Sequence, residues 1–515
     1  MGVGWVEKGI RNLRYETVFH VLDILMSFCV RWLFIYVLTV EYLGLSGVFS
    51  GVLSVLSLAE LGIGSVISQS LYKPLADGDR EEVAALMNLY RKAYWAVGIF
   101  IGVLGVALMP VLPVLIREVS DIPHISWIFL LFVLDTVLPY FFSYKQSLII
   151  ADQKRYIVTA CNIVSLLVVR PLQGLFLWIT RDYFVYLWIN IGTNLLKCLV
   201  IAGIAGRLYP YVRAGSRKKL SSETVFRIVR NVKGMVFHKL GYVLVVETDN
   251  LLISAFSGLA DVGLYSNYWM VTNALNTLYN RMFVALTASI GNMAATSGSK
   301  RVLSVFYDLN FTCCWLYGFS TVCLVALFNP FIELWLGPAY LFSQMNVCLI
   351  AANFYLTGMR QAVLTFRNVY GLYWEDRYKS LAAPAVNLAV SVVLGIPFGV
   401  TGIFLGTLAS TVAVYLWCEP WILFKHGLNA PAWPYFARHA VNTALTAIVS
   451  AAVWCLCNAM PGQGIIRFIC QMAVCAVVGN LGFLLFYHRC DEFRALAELA
   501  VQWLRRLGKK GGTDL

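Results

Sequence analysis

Fourteen stretches of this 515-residue chain stay apolar for the length needed to cross a bilayer. A hydrocarbon core roughly 30 Å thick takes about 20 mostly apolar residues as a helix. Only helices and closed barrels satisfy every backbone polar group in that environment. The stretches run approximately over 17–40, 45–70, 94–113, 125–143, 156–178 and 183–205, then 234–256, 263–291, 309–327, 345–366, 381–396 and 400–423, and finally 440–458 and 465–486. The narrowest boundary is Pro397-Phe398-Gly399, which barely separates two of them. Hydrophobic residues make up 59% of the chain and charged ones 13%, whereas soluble domains run near 45–50% and about 25%. The predicted fold is therefore all-α and integral to a membrane, with about 14 transmembrane helices.

A net charge of +13 raises nucleic acid as a partner, and the placement of the charges decides against it. With the N-terminus inside, 31 of the 40 Lys and Arg fall in inside segments. Outside segments carry only Arg117, Arg181 and Arg467, and the spans hold Arg31, Arg170, Lys197, Lys239, Arg281 and Arg360. So lopsided a partition is the positive-inside signature and puts both termini in the cytoplasm. The charge thus reports topology and contact with anionic membrane lipids, with no nucleic acid involved.

The thirteen cysteines lie mostly inside apolar stretches, where a thiol acts as a small hydrophobe, and none forms a C-x-x-C pair. The first apolar stretch is long enough to span and lacks a small-residue cleavage site, so it does not read as a signal peptide. Asp77-Gly78-Asp79 looks superficially like a glycosyltransferase motif. Asp79-Arg80-Glu81-Glu82 reads better as a capping box opening an interfacial helix. Beyond the last stretch, Phe493, Leu496, Ala500, Trp503 and Leu507 recur at helical spacing beside Arg494, Arg505 and Arg506, as in a helix lying in the interface.

Val18-Phe19-His20 matches Val236-Phe237-His238 at an offset of 218, and Gly47-Val48-Phe49-Ser50 matches Gly263-Leu264-Tyr265-Ser266 at 216. Short matches of this kind arise by chance or from a repeat. A repeat pairs helices one to six with seven to twelve in the same orientation, two six-helix lobes in parallel pseudo-repeat plus two C-terminal helices. The expected divisions are an N-terminal lobe at 1–205, a basic linker at 206–233, a C-terminal lobe at 234–424, helices thirteen and fourteen at 425–487, and a cytoplasmic amphipathic tail at 488–515.

Polar residues inside the spans carry the functional signal, because a charge at the bilayer centre costs roughly 3 kcal/mol or more and usually faces a cavity or a partner. In the first span His20, Asp23, Ser27 and Arg31 fall within about 80° of arc on one helix face. Two readings stay open: a stripe lining a substrate path, or an Asp23–Arg31 bridge that fixes helix packing. Under the 218 offset Arg31 corresponds to Asp249, and the seventh span adds Lys239 and Glu247. Span eight carries Asn273, Asn276, Asn280 and Arg281; span ten has Asn346, Asn353 and Arg360 at intervals of seven; span six has Asn190, Asn194 and Lys197. Asparagines so placed either join helices by hydrogen bonds or bind ligand. Span two contributes Glu60.

Together these make Arg31, Arg281, Arg360, Lys239, Asn273 and Asn280 candidates for holding an anionic, phosphate-bearing substrate. Asp23, Asp249, Glu247 and Glu60 are left for a coupling Na+ or H+. No catalytic residue, metal ligand or cofactor site is expected. The chain has no G-x-x-x-x-G-K-[ST], H-E-x-x-H or G-x-S-x-G motif. The expectation is a secondary transporter of an anionic amphiphile, not an enzyme.

With these residues laid out, the chain resembles the polysaccharide flippases of the multidrug/oligosaccharidyl-lipid/polysaccharide exporter superfamily. Leu58-Ala59-Glu60-Leu61-Gly62-Ile63-Gly64-Ser65 and Leu71-Tyr72-Lys73-Pro74-Leu75-Ala76 carry the likeness first. Thr248-Asp249-Asn250-Leu251-Leu252-Ile253-Ser254 and Val262-Gly263-Leu264-Tyr265-Ser266-Asn267-Tyr268 continue it. Ser289-Ile290-Gly291-Asn292, Leu334-Trp335-Leu336-Gly337 and Trp374-Glu375-Asp376-Arg377-Tyr378-Lys379 complete a set covering roughly 10–430. Glu60 stands where many relatives have aspartate.

The resemblance implies a V-shaped two-lobed transporter that moves an undecaprenyl-diphosphate-linked oligosaccharide from the inner to the outer leaflet of the bacterial cytoplasmic membrane by alternating access. It implies a lipid-linked oligosaccharide as substrate, with a polysaccharide polymerase and glycosyltransferases as partners. A cation-coupled multidrug or metabolite exporter of the same superfamily is the alternative, and an integral-membrane glycosyltransferase stands further off.

Overall fold

The computed structural model describes residues 3–60, 63–112, 122–214, 220–222, 226, 228, 248–372, 375–494 and 498. Every regular element among them is helical. Eleven helical stretches among the described residues are long and apolar enough to cross a membrane. The protein is a multi-pass membrane protein.

The first unit, Met1–Gly263, opens with α1 (Val3–Val37) and α2 (Val40–Leu56), and then a tight turn at Ser57–Glu60 interrupts the second span before α3 (Ile63–Asp77). The expected span 45–70 is thus two pieces, with Glu60 at the break. It continues with α4 (Arg80–Leu108), α5 (Ile125–Val137), α6 (Tyr140–Ala151), α7 (Arg155–Thr180), α8 (Tyr183–Leu208) and α9 (Thr248–Ser257). Asp79 caps α4, its Oδ1 accepting from the Glu82 amide at 2.8 Å. The cap was expected to open a separate interfacial helix. It opens the third span itself, because nothing from Arg80 to Leu108 breaks the helix.

The second unit, Leu264–Leu515, begins inside α10 (Leu259–Thr296) and continues through α11 (Ser299–Leu336), α12 (Gln344–Met359), α13 (Gln361–Tyr370), α14 (Lys379–Phe398) and α15 (Val400–Ser410). Gly399 alone separates α14 from α15, and its φ of 55° is the left-handed conformation that favours glycine. Wide π-turns at Thr411–Tyr415 and Phe424–Leu428 flank α16 (Leu416–Leu423). The last pair is α17 (Trp433–Ala459) and α18 (Gly464–Val474), the latter running through another π-turn into α19 (Asn480–Tyr487). Apart from residue 498, the expected tail beyond residue 494 lies outside the described residues, as does half of the expected basic linker.

Lipid is as apolar as leucine, so packing contacts and close backbone approach hold such helices together. In the first unit Leu86, Tyr90, Leu148 and Val158 meet in one buried cluster. In the second, Phe306 takes Phe366 and Phe424 edge-on and packs against Tyr435. Outward-facing residues such as Trp127, Trp188, Trp417, Ile466 and Leu485 are exposed, as a lipid-facing surface requires. All thirteen cysteines are free thiols.

Candidate functional site

A cavity of about 340 Å³ opens within the first unit, walled by α1, α7 and α8. Two cations line it: Arg170, from the middle of α7, and Lys197, from α8. Asn162, Asn190, Thr193 and Asn194 supply polar wall. The volume falls in the small-molecule range of about 300–1,000 Å³.

Each cation has a carboxylate within reach. Arg170 Nη2 lies 3.9 Å from Asp23 Oδ1 and donates to Ser27 Oγ at 3.4 Å. Asp23 and Ser27 belong to the polar stripe of α1, so that stripe faces α7. Of the two readings of the stripe, the structure adds a third partner: Arg170 of span five stands opposite Asp23. Behind the other cation, Asp135 of α5 accepts from Asn190 Nδ2 at 2.9 Å and from Asn194 Nδ2 at 3.1 Å. Lys197 lies within electrostatic range of the same carboxylate. Asn190 Oδ1 in turn accepts from the fully buried Gln173 at 3.3 Å.

Arg31 does not line this cavity. It sits two turns along α1 from Asp23, half-buried, within electrostatic range of Arg170, Tyr183 and Tyr186. Tyr186 faces both Arg170 and Arg31, which joins the two guanidinium groups into one polar region. Arg31, Arg170 and Lys197 against Asp23 and Asp135 leave one net positive charge. Such a region suits a ligand with an anionic group and many hydroxyls.

The other expected site residues are spread more widely. Glu60, at the break after α2, receives the Tyr140 hydroxyl at 3.4 Å and has Tyr94 nearby. Asp249 is buried at the start of α9. Lys239 and Glu247 lie outside the described residues. Asn273, Asn280 and Arg281 belong to the second unit, on α10, with the two asparagines exposed and Arg281 half-buried.

Arg360 also belongs to the second unit, where its fork is taken. It donates from Nε to Glu419 Oε2 at 2.9 Å and from Nη2 to Oε1 at 2.8 Å, and it lies 3.8 Å above the Tyr415 ring. Lys379 Nζ reaches the same Glu419 carboxylate at 2.6 Å and also pairs with Asp376. Asp376 is held as well by Arg367 at 2.6 Å. The seven-residue series of span ten therefore zips onto one neighbour: Asn346 accepts from Thr401 at 2.7 Å, Asn353 donates to the Phe404 carbonyl at 3.2 Å, and Arg360 grips Glu419. No cluster that could hold a metal ion occurs among the described residues.

A family model described as polysaccharide biosynthesis protein matches residues 10–287. The chain belongs to that family. The match takes in the cavity, Arg31 and Glu60. No curated protein matches the chain in sequence. Among solved structures it shares its fold with the lipid II flippase MurJ in an inward closed conformation, at 12% identity and a TM-score of 0.66, covering 93% of this chain and 99% of that one. An inward-facing multidrug resistance MATE family transporter of the MOP superfamily superposes at 14% identity and 0.57, covering 79% and 96%. A point mutant of the Vibrio cholerae MATE transporter VcmN does so at 15% and 0.52, covering 82% and 99%. The all-helical transporter fold expected from the sequence is the one found.

Asp135 was missed by sequence reasoning. It is a lone acid in an apolar run, and an intramembrane carboxylate is by default a functional candidate. Arg170 and Lys197 stood out as charges within spans. Which helix each faced required the fold.

Proposed function

We propose that this member of the family flips a lipid-linked oligosaccharide, carried on a polyprenyl diphosphate, from the inner to the outer leaflet of a bacterial cytoplasmic membrane by alternating access. The observation that carries the reading is the cationic cavity of the first unit. Arg170 and Lys197 line it with four polar side chains, and Arg31 stands within electrostatic range of Arg170. A diphosphate would meet the guanidinium and ammonium groups while sugar hydroxyls bond to asparagines. An organic cation, the cargo suited to an acidic aromatic path, would be repelled.

The energetics fit. A diphosphate with about two negative charges gains roughly 5 kcal/mol on moving outward through 100 mV, inside negative. Export can thus run on the membrane potential, and Asp23, Asp249 and Glu60 are the acids that would take a coupling Na+ or H+. Both termini lie in the cytoplasm in this reading, against anionic lipid, where a polymerase and glycosyltransferases complete the pathway. Arg360 acts as a strut through Glu419.

The test is a proteoliposome assay with a fluorescent polyprenyl-diphosphate oligosaccharide, with and without a membrane potential and sodium or proton gradients. Relocation of unchanged substrate supports flipping. Efflux of cationic dyes in its place would establish the exporter reading, and a new glycosidic bond would establish an enzyme.

A further inference from the structure

A second cavity, of about 450 Å³, lies wholly in the second unit at one end of α11, α17 and α19, and the flipping reading makes no use of it. Its wall mixes charge with apolar surface. It carries the cations Arg438 and Arg489, the carboxylates Asp491 and Glu492, and the apolar side chains Phe311, Val441 and Phe486. Val441 and Phe486 are also exposed on the surface, so the cavity opens beside side chains that face acyl chains.

The floor is fixed. Tyr487 donates to Asn442 Oδ1 at 2.7 Å and contacts Cys314 Sγ at 3.4 Å. The rim is fixed as well, by an Arg438–Glu492 ion pair with Arg438 4.2 Å above the Tyr307 ring. One wall group is unspent: Asn310 is only 3% exposed, lines the cavity, and has no hydrogen-bond partner for its Oδ1. A buried acceptor without a partner costs roughly 1–3 kcal/mol, so an N–H donor in the cavity is favoured.

From this arrangement we propose that the second cavity is a binding site for a zwitterionic aminophospholipid, a phosphoethanolamine headgroup with its acyl chains against the apolar wall. The phosphate pairs with Arg489 and the free edge of Arg438. The primary ammonium, with three donors, reaches Asp491, Glu492 and Asn310 Oδ1. A purely anionic headgroup meets the carboxylates with the wrong sign. A quaternary ammonium has no N–H for Asn310, and no open aromatic cage takes its place, since Arg438 covers Tyr307.

The proposal stands independently of which substrate the first unit carries. Its test is native mass spectrometry of the delipidated full chain in detergent, given dioleoyl phosphatidylethanolamine, phosphatidylcholine or phosphatidylglycerol at equal concentration. The ethanolamine lipid is expected to be retained about tenfold better than either of the others, the size of one well-placed charged hydrogen bond. Arg489→Ala and Glu492→Gln are each expected to erase most of that preference while the thermal unfolding midpoint stays unchanged. Equal retention of the three lipids by the unaltered protein overturns the proposal without recourse to any variant. A preference that survives both substitutions overturns it too, and equal competition by soluble glycerophosphoethanolamine overturns the assignment to a membrane lipid.

Discussion

Asp23 on the first helix and Arg170 on the seventh face each other with 3.9 Å between Oδ1 and Nη2, and Ser27 one turn further on receives the same guanidinium. The separation is that of a loose ion pair, so Arg170 keeps donors for a ligand in the cavity it lines. Arg170→Ala is expected to lower flipping in proteoliposomes at least about tenfold, the loss of a charge-assisted contact. Arg170→Lys should retain part of the activity, because a point charge replaces a planar fork. Full activity in the alanine variant would remove the cavity from the transport path.

Arg31→Ala is expected to abolish flipping while folding and membrane insertion persist. The guanidinium lies within electrostatic range of Arg170 and of two tyrosines, and its loss leaves α1 packed against α7 through other contacts. Flotation with the membrane fraction and a monodisperse elution profile check the fold, and the fluorescent assay checks the activity. Normal transport refutes a substrate role for this residue.

Glu419 is the acid on which Arg360 and Lys379 converge, and its side chain is fully buried. Removing one member of a buried ion system strands the rest, at a cost of about 3–5 kcal/mol. Glu419→Ala should therefore lower the thermal unfolding midpoint in detergent markedly, and an unchanged midpoint would show that the cations find other partners.

At Gly358 the first side-chain carbon of an alanine would land 1.9 Å from Tyr317 Cδ1. Gly358→Ala forces that ring aside in a packed core, for about 1–3 kcal/mol of destabilisation. Chemical denaturation in mixed micelles reads the effect, and Gly358→Ala combined with Tyr317→Leu should recover part of it.

Cys490 follows α19, and burial together with the nearby Glu492 carboxylate pushes its thiol up from the usual range. The thiolate is the reacting species, so a raised value keeps less of it at neutral pH. Maleimide modification mapped by mass spectrometry should be slower at Cys490 than at an exposed reference thiol at pH 7. The gap should narrow as the pH rises past the thiol's ordinary value. A rate at pH 7 equal to that of the reference would contradict the burial.

Much of the fold was legible because hydropathy reports span length directly. Breaks were visible where the residue chemistry enforces them, as at Gly399 with its positive φ. The break at Ser57–Glu60 was not, since Ser57-Leu58-Ala59 carries no breaker. Site residues were half legible for the same reason. The α1 stripe was readable from helical spacing alone, whereas the pairing of Asp23 with Arg170 spans 147 positions of chain. Arg360 shows the opposite case: an intramembrane cation does signal a partner, but sequence does not say whether that partner is cargo or Glu419.

The three ties between span ten and its neighbour, at Asn346, Asn353 and Arg360, carry a mechanical consequence. They sit two helical turns apart, so sliding one helix along the other by a single pitch of about 5.4 Å would undo all three together. The pair behaves as one plank, and whatever bending the second unit undergoes during a transport cycle must be taken up by joints elsewhere along its chain.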